Sequence, residues 1–246
     1  MPIQEDVIVN YIISDIHGAF NEFKQMLEKI EYNPDSDTMI VAGDVIDRGS
    51  DSIELLYYIK DFVDSGQMIL LAGNHEFFCA EFIEGGLSVE KYAAFGGRAT
   101  IKDIIGMPLE SKTQLLHFLK SLPVYYETTT GYGRTVVTHS GIVADSIVVN
   151  YDNSINVIES INNAVNRNKF DYLISDDIHR LDVLELERLD RFVIVGHVPT
   201  MLLNIDGSNT FYREGKYMCI DSGAGYPERG GQLSCYCIET DEQIYL

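Results

Sequence analysis

Apolar residues along the first third of the chain alternate between two periods. Residues 7–13 form an apolar run that predicts a strand, and Phe23, Met26, Leu27 and Ile30 repeat at helical spacing within a predicted helix over 20–30. Asn33-Pro34-Asp35-Ser36-Asp37 marks a turn before a second strand at 38–42. Ile53, Leu56, Ile59 and Phe62 then predict a helix over 52–62, and 68–72 a third strand. Strand-helix-strand-helix-strand order implies right-handed crossovers and a parallel sheet, hence an α/β fold. Residues 76–122 read as helical, with Tyr92-Ala93-Ala94-Phe95, a Gly96-Gly97 break, a second helix through Ile105, and a third over 113–119. Strands return at 135–138, 191–195, 216–220, 233–239 and 243–246. The acidic, Asn-rich stretch 145–190 has the weakest pattern and is expected to be a cap or insert with helices. No internal repeat, low-complexity segment or Pro/Gly/Ser linker interrupts the chain, so one domain over 1–246 is expected.

Metal-ligand residue types sit beside glycines just past these strands. The strings are Asp15-Ile16-His17-Gly18, Gly43-Asp44-Val45-Ile46-Asp47-Arg48-Gly49, Gly73-Asn74-His75-Glu76, Thr138-His139-Ser140-Gly141 and Gly196-His197. Carboxylate and imidazole ligands at strand ends suit metals with open positions, because loops there converge on a cleft. We assign Asp15, His17 and Asp44 to one metal, and Asp44, Asn74, His139 and His197 to another, with Asp44 bridging. Two metals about 3.5–4 Å apart can share a hydroxide, the expected nucleophile. His75 is the expected general acid, oriented and kept protonated by Asp47. Arg48 can clamp phosphoryl oxygens with its guanidinium fork, beside Asn74. An isolated Asp-x-His-Gly or Gly-His is most often a turn, but five such strings together are not explained that way. His117, in an apolar helix pattern, and His179, in an acidic loop, receive no role.

Composition narrows the partners. The formal net charge is -20, from 38 acidic against 18 basic residues, which argues against a nucleic-acid or anionic-membrane surface. Bound cations would still leave the centre positive at close range, while acidic protein substrates are repelled at long range. The acidic start Met1-Pro2-Ile3-Gln4-Glu5-Asp6 does not read as a secretory leader, and no run approaches a membrane span. A cytoplasmic location with free thiols at Cys79, Cys219, Cys235 and Cys237 is therefore expected. Cys235 and Cys237 share one face of a predicted strand and cannot easily pair.

With these residues in place, the chain resembles the calcineurin-like metallophosphoesterases. It is most similar to the PPP family of serine/threonine protein phosphatases, in the small bacterial and bacteriophage lambda-type branch. That pattern reads Gly-Asp-x-His-Gly, Gly-Asp-x-x-Asp-Arg-Gly, Gly-Asn-His-Glu, His-Ala-Gly and Gly-His. Here Ser14 replaces the first glycine and Ser140 the alanine, both small changes, and Cys219-Ile220-Asp221-Ser222-Gly223-Ala224 also matches the branch. The resemblance implies a four-layer αββα sandwich with mixed sheets, and a phosphomonoesterase acting on phosphoproteins. It tilts the metal toward Mn2+, with Fe or Zn2+ also suited to the ligands. It further implies a second phosphate-binding arginine between the last two histidine ligands, for which Arg180 is the first candidate, and Tyr226 as a rim residue. A related branch hydrolyses dinucleoside tetraphosphates symmetrically; it lacks the Asp of Asp-Arg-Gly and has Asp after Asn-His, so Asp47 and Glu76 favour the phosphatase branch. Symmetrical dinucleoside tetraphosphate hydrolase or nucleotide phosphatase activity is the alternative, and a non-catalytic metal-binding scaffold the third.

Overall fold

The computed structural model describes residues 9–246. Val7 and Ile8 of the first predicted strand lie outside them. Strands β1 (Asn10–Ile13), β2 (Thr38–Val41) and β3 (Met68–Leu70) are parallel, joined by helices α1 (Phe20–Lys29) and α2 (Ser52–Asp64). The register pairs Asn10 with Thr38 and Val41 with Leu70. Near the end of the chain, β9 (Ser234–Cys237) runs antiparallel to β1 and carries β10 (Glu242–Tyr245), giving the sheet order β10-β9-β1-β2-β3.

Helices α3 (Asn74–Glu84), α4 (Val89–Ala94), α5 (Arg98–Gly106) and α6 (Leu109–Ser121) lead to a second sheet. It holds β4 (Tyr125–Thr130), β5 (Gly133–Thr138), β6 (Phe192–Val195), β7 (Tyr212–Glu214) and β8 (Tyr217–Cys219), ordered β4-β5-β6-β8-β7. Within it β5, β6 and β8 are parallel, and β4 and β7 are antiparallel edges.

Alternation along the strands explains how the sheets stack. In β2, Met39 and Val41 join one core cluster while Ile40 joins another; in β6, Val193 and Val195 join the first while Phe192 and Ile194 join the second. The second cluster contains Ile12, Ile40, Ala42, Val137, Ile194, Met218 and Tyr236, so it is the layer between the facing sheets. The first cluster also takes up helix residues such as Phe23, Leu56 and Ile161, so helices cover the outward faces. The result is the expected four-layer arrangement. All four cysteines are buried and unpaired, with Cys235 and Cys237 on one side of β9.

Two strands escape the sequence pattern, and one segment is more regular than it. Strand β4 carries Tyr-Tyr-Glu-Thr-Thr-Thr with most positions exposed or half-exposed, so it lacks an apolar alternation. Strand β7 is a three-residue edge. The stretch 145–190 forms the crossover from β5 to β6, with α7 (Val157–Arg167), α8 (Lys169–Leu173) and α9 (Val183–Glu187). Its Ile155, Val157, Ile161, Tyr172, Leu173 and Ile178 belong to the same cluster as Val193 and Val195. Replacing Ile161 with alanine is therefore expected to cost about 2–5 kcal/mol and to lower the midpoint of one cooperative thermal transition. A separate early transition with the main one unmoved would mean that the 145–190 stretch melts by itself.

Candidate active site

The carboxyl ends of six parallel strands meet at one edge of the sandwich. Asp15 and His17 follow β1, Asp44 follows β2, and Asn74 opens α3 after β3. His139 follows β5 and His197 follows β6. Backbone bonds tie the loops together: Asp15 N donates to Gly43 O (3.1 Å), His17 N to Asp44 O (3.0 Å), and Gly196 N to His139 O (3.0 Å). The glycines beside these residues leave no room for a side chain. A Cβ on Gly196 would lie 2.0 Å from Asp15 Oδ2, and one on Gly73 would lie 2.3 Å from Asp44 Oδ1.

Oxygen and imidazole nitrogen atoms face one another at the centre. His139 Nδ1 donates to Ala42 O (2.9 Å), which leaves Nε2 as a lone pair. That lone pair lies 2.9 Å from Asn74 Oδ1, 3.1 Å from His197 Nδ1 and 3.4 Å from Asp44 Oδ1. A carboxylate oxygen, an amide oxygen and two imidazole nitrogens converging at these distances are a ligand set that fits a divalent cation. On the other side of Asp44, His17 Nδ1 donates to Ile46 O (3.0 Å) and its Nε2 lies 3.7 Å from Asp44 Oδ2. Asp15 Oδ2 accepts from His197 N (2.9 Å), while its buried Oδ1 has no partner. By proximity alone His75 also joins His17 and Asp44, with Nε2 3.8 Å from Asp44 Oδ2. The structure thus places His17 and Asp44 in one group and Asp44, His139 and His197, with Asn74 beside them, in another, while Asp15 joins neither group directly and is held by the His197 N–H.

Burial would raise the Asp44 carboxyl, but the imidazoles of His139, His75, His17 and His197 outweigh it and hold it well below its ordinary value. Burial lowers His17, reinforced by His75 and Arg48. Burial and the neighbouring His139 push His197 down to about 3. Neutral imidazoles are the form that binds metals. Burial and the Asp44 charge raise Asp15 well above the usual carboxylate range. They also push Glu76 up to about 7, although it accepts bonds from the Asp44 N (2.8 Å), Val45 N (2.9 Å) and Gly73 N (3.0 Å).

Beside the cluster, His75 Nδ1 donates to Asp47 Oδ2 at 2.7 Å. Burial alone would lower His75, yet the Asp44 charge and the Asp47 hydrogen bond raise it above its usual value. Arg48 sends Nη1 to His17 Nε2 (2.7 Å) and Nη2 toward His75 Nε2 (3.5 Å), with its guanidinium 4.4 Å from the Tyr226 ring centre. Arg180 behaves differently. It is 71 % exposed and donates to Asp176 (2.5 Å), with no hydrogen bond to a site residue behind the expected phosphate role. His117 is exposed on α6, and His179 bonds to the Tyr217 hydroxyl.

Sequence reasoning missed several residues here. Tyr92 and Thr100 both donate to Asp47 Oδ1. Ser52 Oγ accepts from Asp47 N (2.9 Å). Asp221, past β8 at the sixth strand end, is buried; burial and then Asp15 raise its carboxyl.

A family model described as calcineurin-like phosphoesterase matches residues 11–219. The chain belongs to that family. Among curated proteins, the symmetrical bis(5'-nucleosyl)-tetraphosphatase of Vibrio vulnificus strain YJ016 is 33% identical over 135 residues, covering 55% of this phosphoesterase and 45% of that protein. The same-named protein of Buchnera aphidicola is 44% identical over 66 residues, 27% of this chain and 23% of that one. The matched stretches thus span less than half the length of these relatives. Solved structures agree on the fold. One provisionally named a diadenosine tetraphosphatase superposes with a TM-score of 0.60 at 15% identity, covering 98% of this chain and 94% of that one. A Saccharomyces cerevisiae protein serine/threonine phosphatase with similarity to human phosphatase PP5 gives 0.62 at 17% identity, covering 97% and 79%.

A Gly196→Ala variant is expected to lose tight divalent-cation binding, measured by titration calorimetry with Mn2+, because the new Cβ displaces Asp15. Undiminished affinity would show that Asp15 is not held by this contact. Asp44→Asn is expected to lower the occupancy of both cation groups together in elemental analysis. Loss confined to one group would remove Asp44 from its shared position.

Proposed function

We propose that this phosphoesterase uses two divalent cations, held by Asp15, His17 and Asp44 on one side and by Asp44, Asn74, His139 and His197 on the other. The observation that carries this is the convergence of Asn74 Oδ1, His197 Nδ1 and Asp44 Oδ1 on His139 Nε2, set beside a second group that shares Asp44. When bound, the cations would supply an activated water and polarise the phosphoryl group. The chain's own residues do the remaining work. Arg48, backed by the face of Tyr226, offers its fork to phosphoryl oxygens. Asn74 is assigned to the same oxygens. His75 holds a proton for the leaving oxygen, with Asp47 fixing its ring from Nδ1. Mn2+ is the first cation to test, then Fe and Zn2+.

Two substrate classes compete. Dinucleoside tetraphosphates come first, because the curated relatives carry that activity in their names. Phosphomonoesters, phosphoserine and phosphothreonine in proteins among them, come second, and one observation favours them. A nucleoside diphosphate is a weakly basic leaving group, whereas an alkoxide leaves only with a proton. The buried His75–Asp47 pair is more acid machinery than the first class demands.

Comparing kcat/KM for diadenosine tetraphosphate with that for phosphothreonine peptides, with Mn2+ supplied, separates the two. A dinucleotide preference of tenfold or more over every peptide is the expected result, and the reverse order installs the phosphatase. His75→Asn is expected to lower kcat by about 10²–10⁴ with cation content unchanged, and to lower it more for phenyl than for p-nitrophenyl phosphate. Equal losses on the two esters would remove His75 from the acid role.

A further inference from the structure

We propose that Tyr92 and Thr100, one on each side of the Gly96-Gly97 turn, are positioning residues that hold Asp47 so that it fixes His75. The inference rests on the reading of His75 as the acid and extends it to residues that touch neither cation ligands nor substrate. Asp47 is fully buried at 0% exposure, as are Tyr92 and Thr100. Its two oxygens divide their work. Oδ2 accepts from His75 Nδ1 at 2.7 Å, while Oδ1 accepts from the Tyr92 hydroxyl at 2.8 Å and the Thr100 hydroxyl at 2.5 Å. A buried carboxylate that accepted only the imidazole could rotate about its Cβ–Cγ bond, carrying the ring with it. Two hydroxyls on the far oxygen remove that freedom and solvate the charge.

The hairpin from α4 to α5 is shaped for this task. A Cβ on Gly97 would fall 2.5 Å from Tyr92 Cε2, so glycine is what lets the phenol lie under the turn. Gly96, at φ 103°, turns its carbonyl to accept Arg48 N at 3.0 Å. The same short turn therefore holds the backbone of the anion clamp and, through Tyr92 and Thr100, the orientation of the acid. Ser52 completes the frame by accepting from Asp47 N, where the backbone stands at φ 73°.

The test uses the whole chain, with Mn2+ for the kinetics and diamagnetic Zn2+ for the resonance, and compares Thr100→Val, Tyr92→Phe, the double variant, Thr100→Ser and, as reference, His75→Asn. Two readouts apply: kcat and KM for phenyl and p-nitrophenyl phosphate, and the downfield proton resonance of His75 Nδ1–H, identified by its loss in His75→Asn. The double variant is expected to lower kcat for phenyl phosphate by about 10–100-fold, the usual cost of an orienting partner. KM should hold, the p-nitrophenyl loss should be several-fold smaller, and the His75 resonance should shift or broaden. Thr100→Ser, which keeps the hydroxyl, should restore both readouts. Equal losses on both esters with an unmoved resonance would overturn the proposal, as would wild-type behaviour of the double variant. If the double variant does not fold, the two single variants carry the same comparison. Should His75→Asn leave the ester ratio unchanged, the acid reading fails by itself, and the resonance alone decides whether Tyr92 and Thr100 hold the pair.

Discussion

Asp44 carries a carboxylate that is 1% exposed into the midst of four histidines, and the rest of the site answers to that charge. An isolated buried carboxylate would be driven to take up a proton. Here His75 N donates to Oδ1 at 3.0 Å, and three imidazoles stand within 3.4–3.8 Å of the carboxylate oxygens. The second carboxylate nearby, Glu76, does not face the cluster's lone pairs. It turns to three backbone N–H groups and so ties the loops after β2 and β3 to each other. Because Asp44 and Asn74 come from one sheet and His139 and His197 from the other, the quartet exists only when the sheets are packed face to face. The apolar layer of Ile12, Ile40, Val137 and Ile194 thus sets the ligand spacing as well as the stability.

The same convergence concentrates backbone strain. Nine non-glycine residues have positive φ among those described, and six of them are Asp15, His17, Asp44, Asp47, Arg48 and His197. Each such conformation costs on the order of 1–3 kcal/mol in a bulky residue, somewhat less for Asp or His. The cost follows from the architecture. A strand that ends and must aim a side chain back over its own sheet has to turn within one or two residues. The helices and sheets behind the loops over-determine that turn, so the strained residues stay put. Glycine is then required at the neighbouring positions for space: Gly73 and Gly196 have carboxylate oxygens where a Cβ would be.

This division explains what the sequence made legible. The six proposed ligands, His75, Asp47 and Arg48 lie in contiguous strings at strand ends, so residue type and position report them together. The parallel β1–β3 core was equally readable, because its crossovers keep clean periods of two and 3.6 residues. Residues that act across the fold carry no such mark. Tyr92 sits 45 residues from Asp47 in an apolar helix pattern, and Thr100 sits 53 away, so both read as core. Asp221 lies in a segment whose spacing announces no ligand, and the polar edge β4 lacks a buried face to create alternation. Two five-residue helices, α8 and α9, are too short for a helical period to emerge, which left 145–190 opaque. Arg180 is the opposite case: the resemblance suggested it, and the structure gives its guanidinium to Asp176.

Arg48 shows how closely the anion clamp and the cation ligands are joined. Its Nη1 donates to His17 Nε2, the lone pair that a cation in the Asp15–His17–Asp44 group would take. A cation and a guanidinium N–H cannot both occupy that lone pair, and two positive groups at that distance repel in a buried setting. The face of Tyr226 lies 4.4 Å from the same guanidinium and stabilises a cation without a counter-charge. The backbone beneath is fixed, because Gly96 O accepts from Arg48 N and Gly49 N donates to His17 O. The proposed anion clamp and a cation in the proposed His17 group would therefore compete for one lone pair, so the two roles are coupled through the side chain of Arg48.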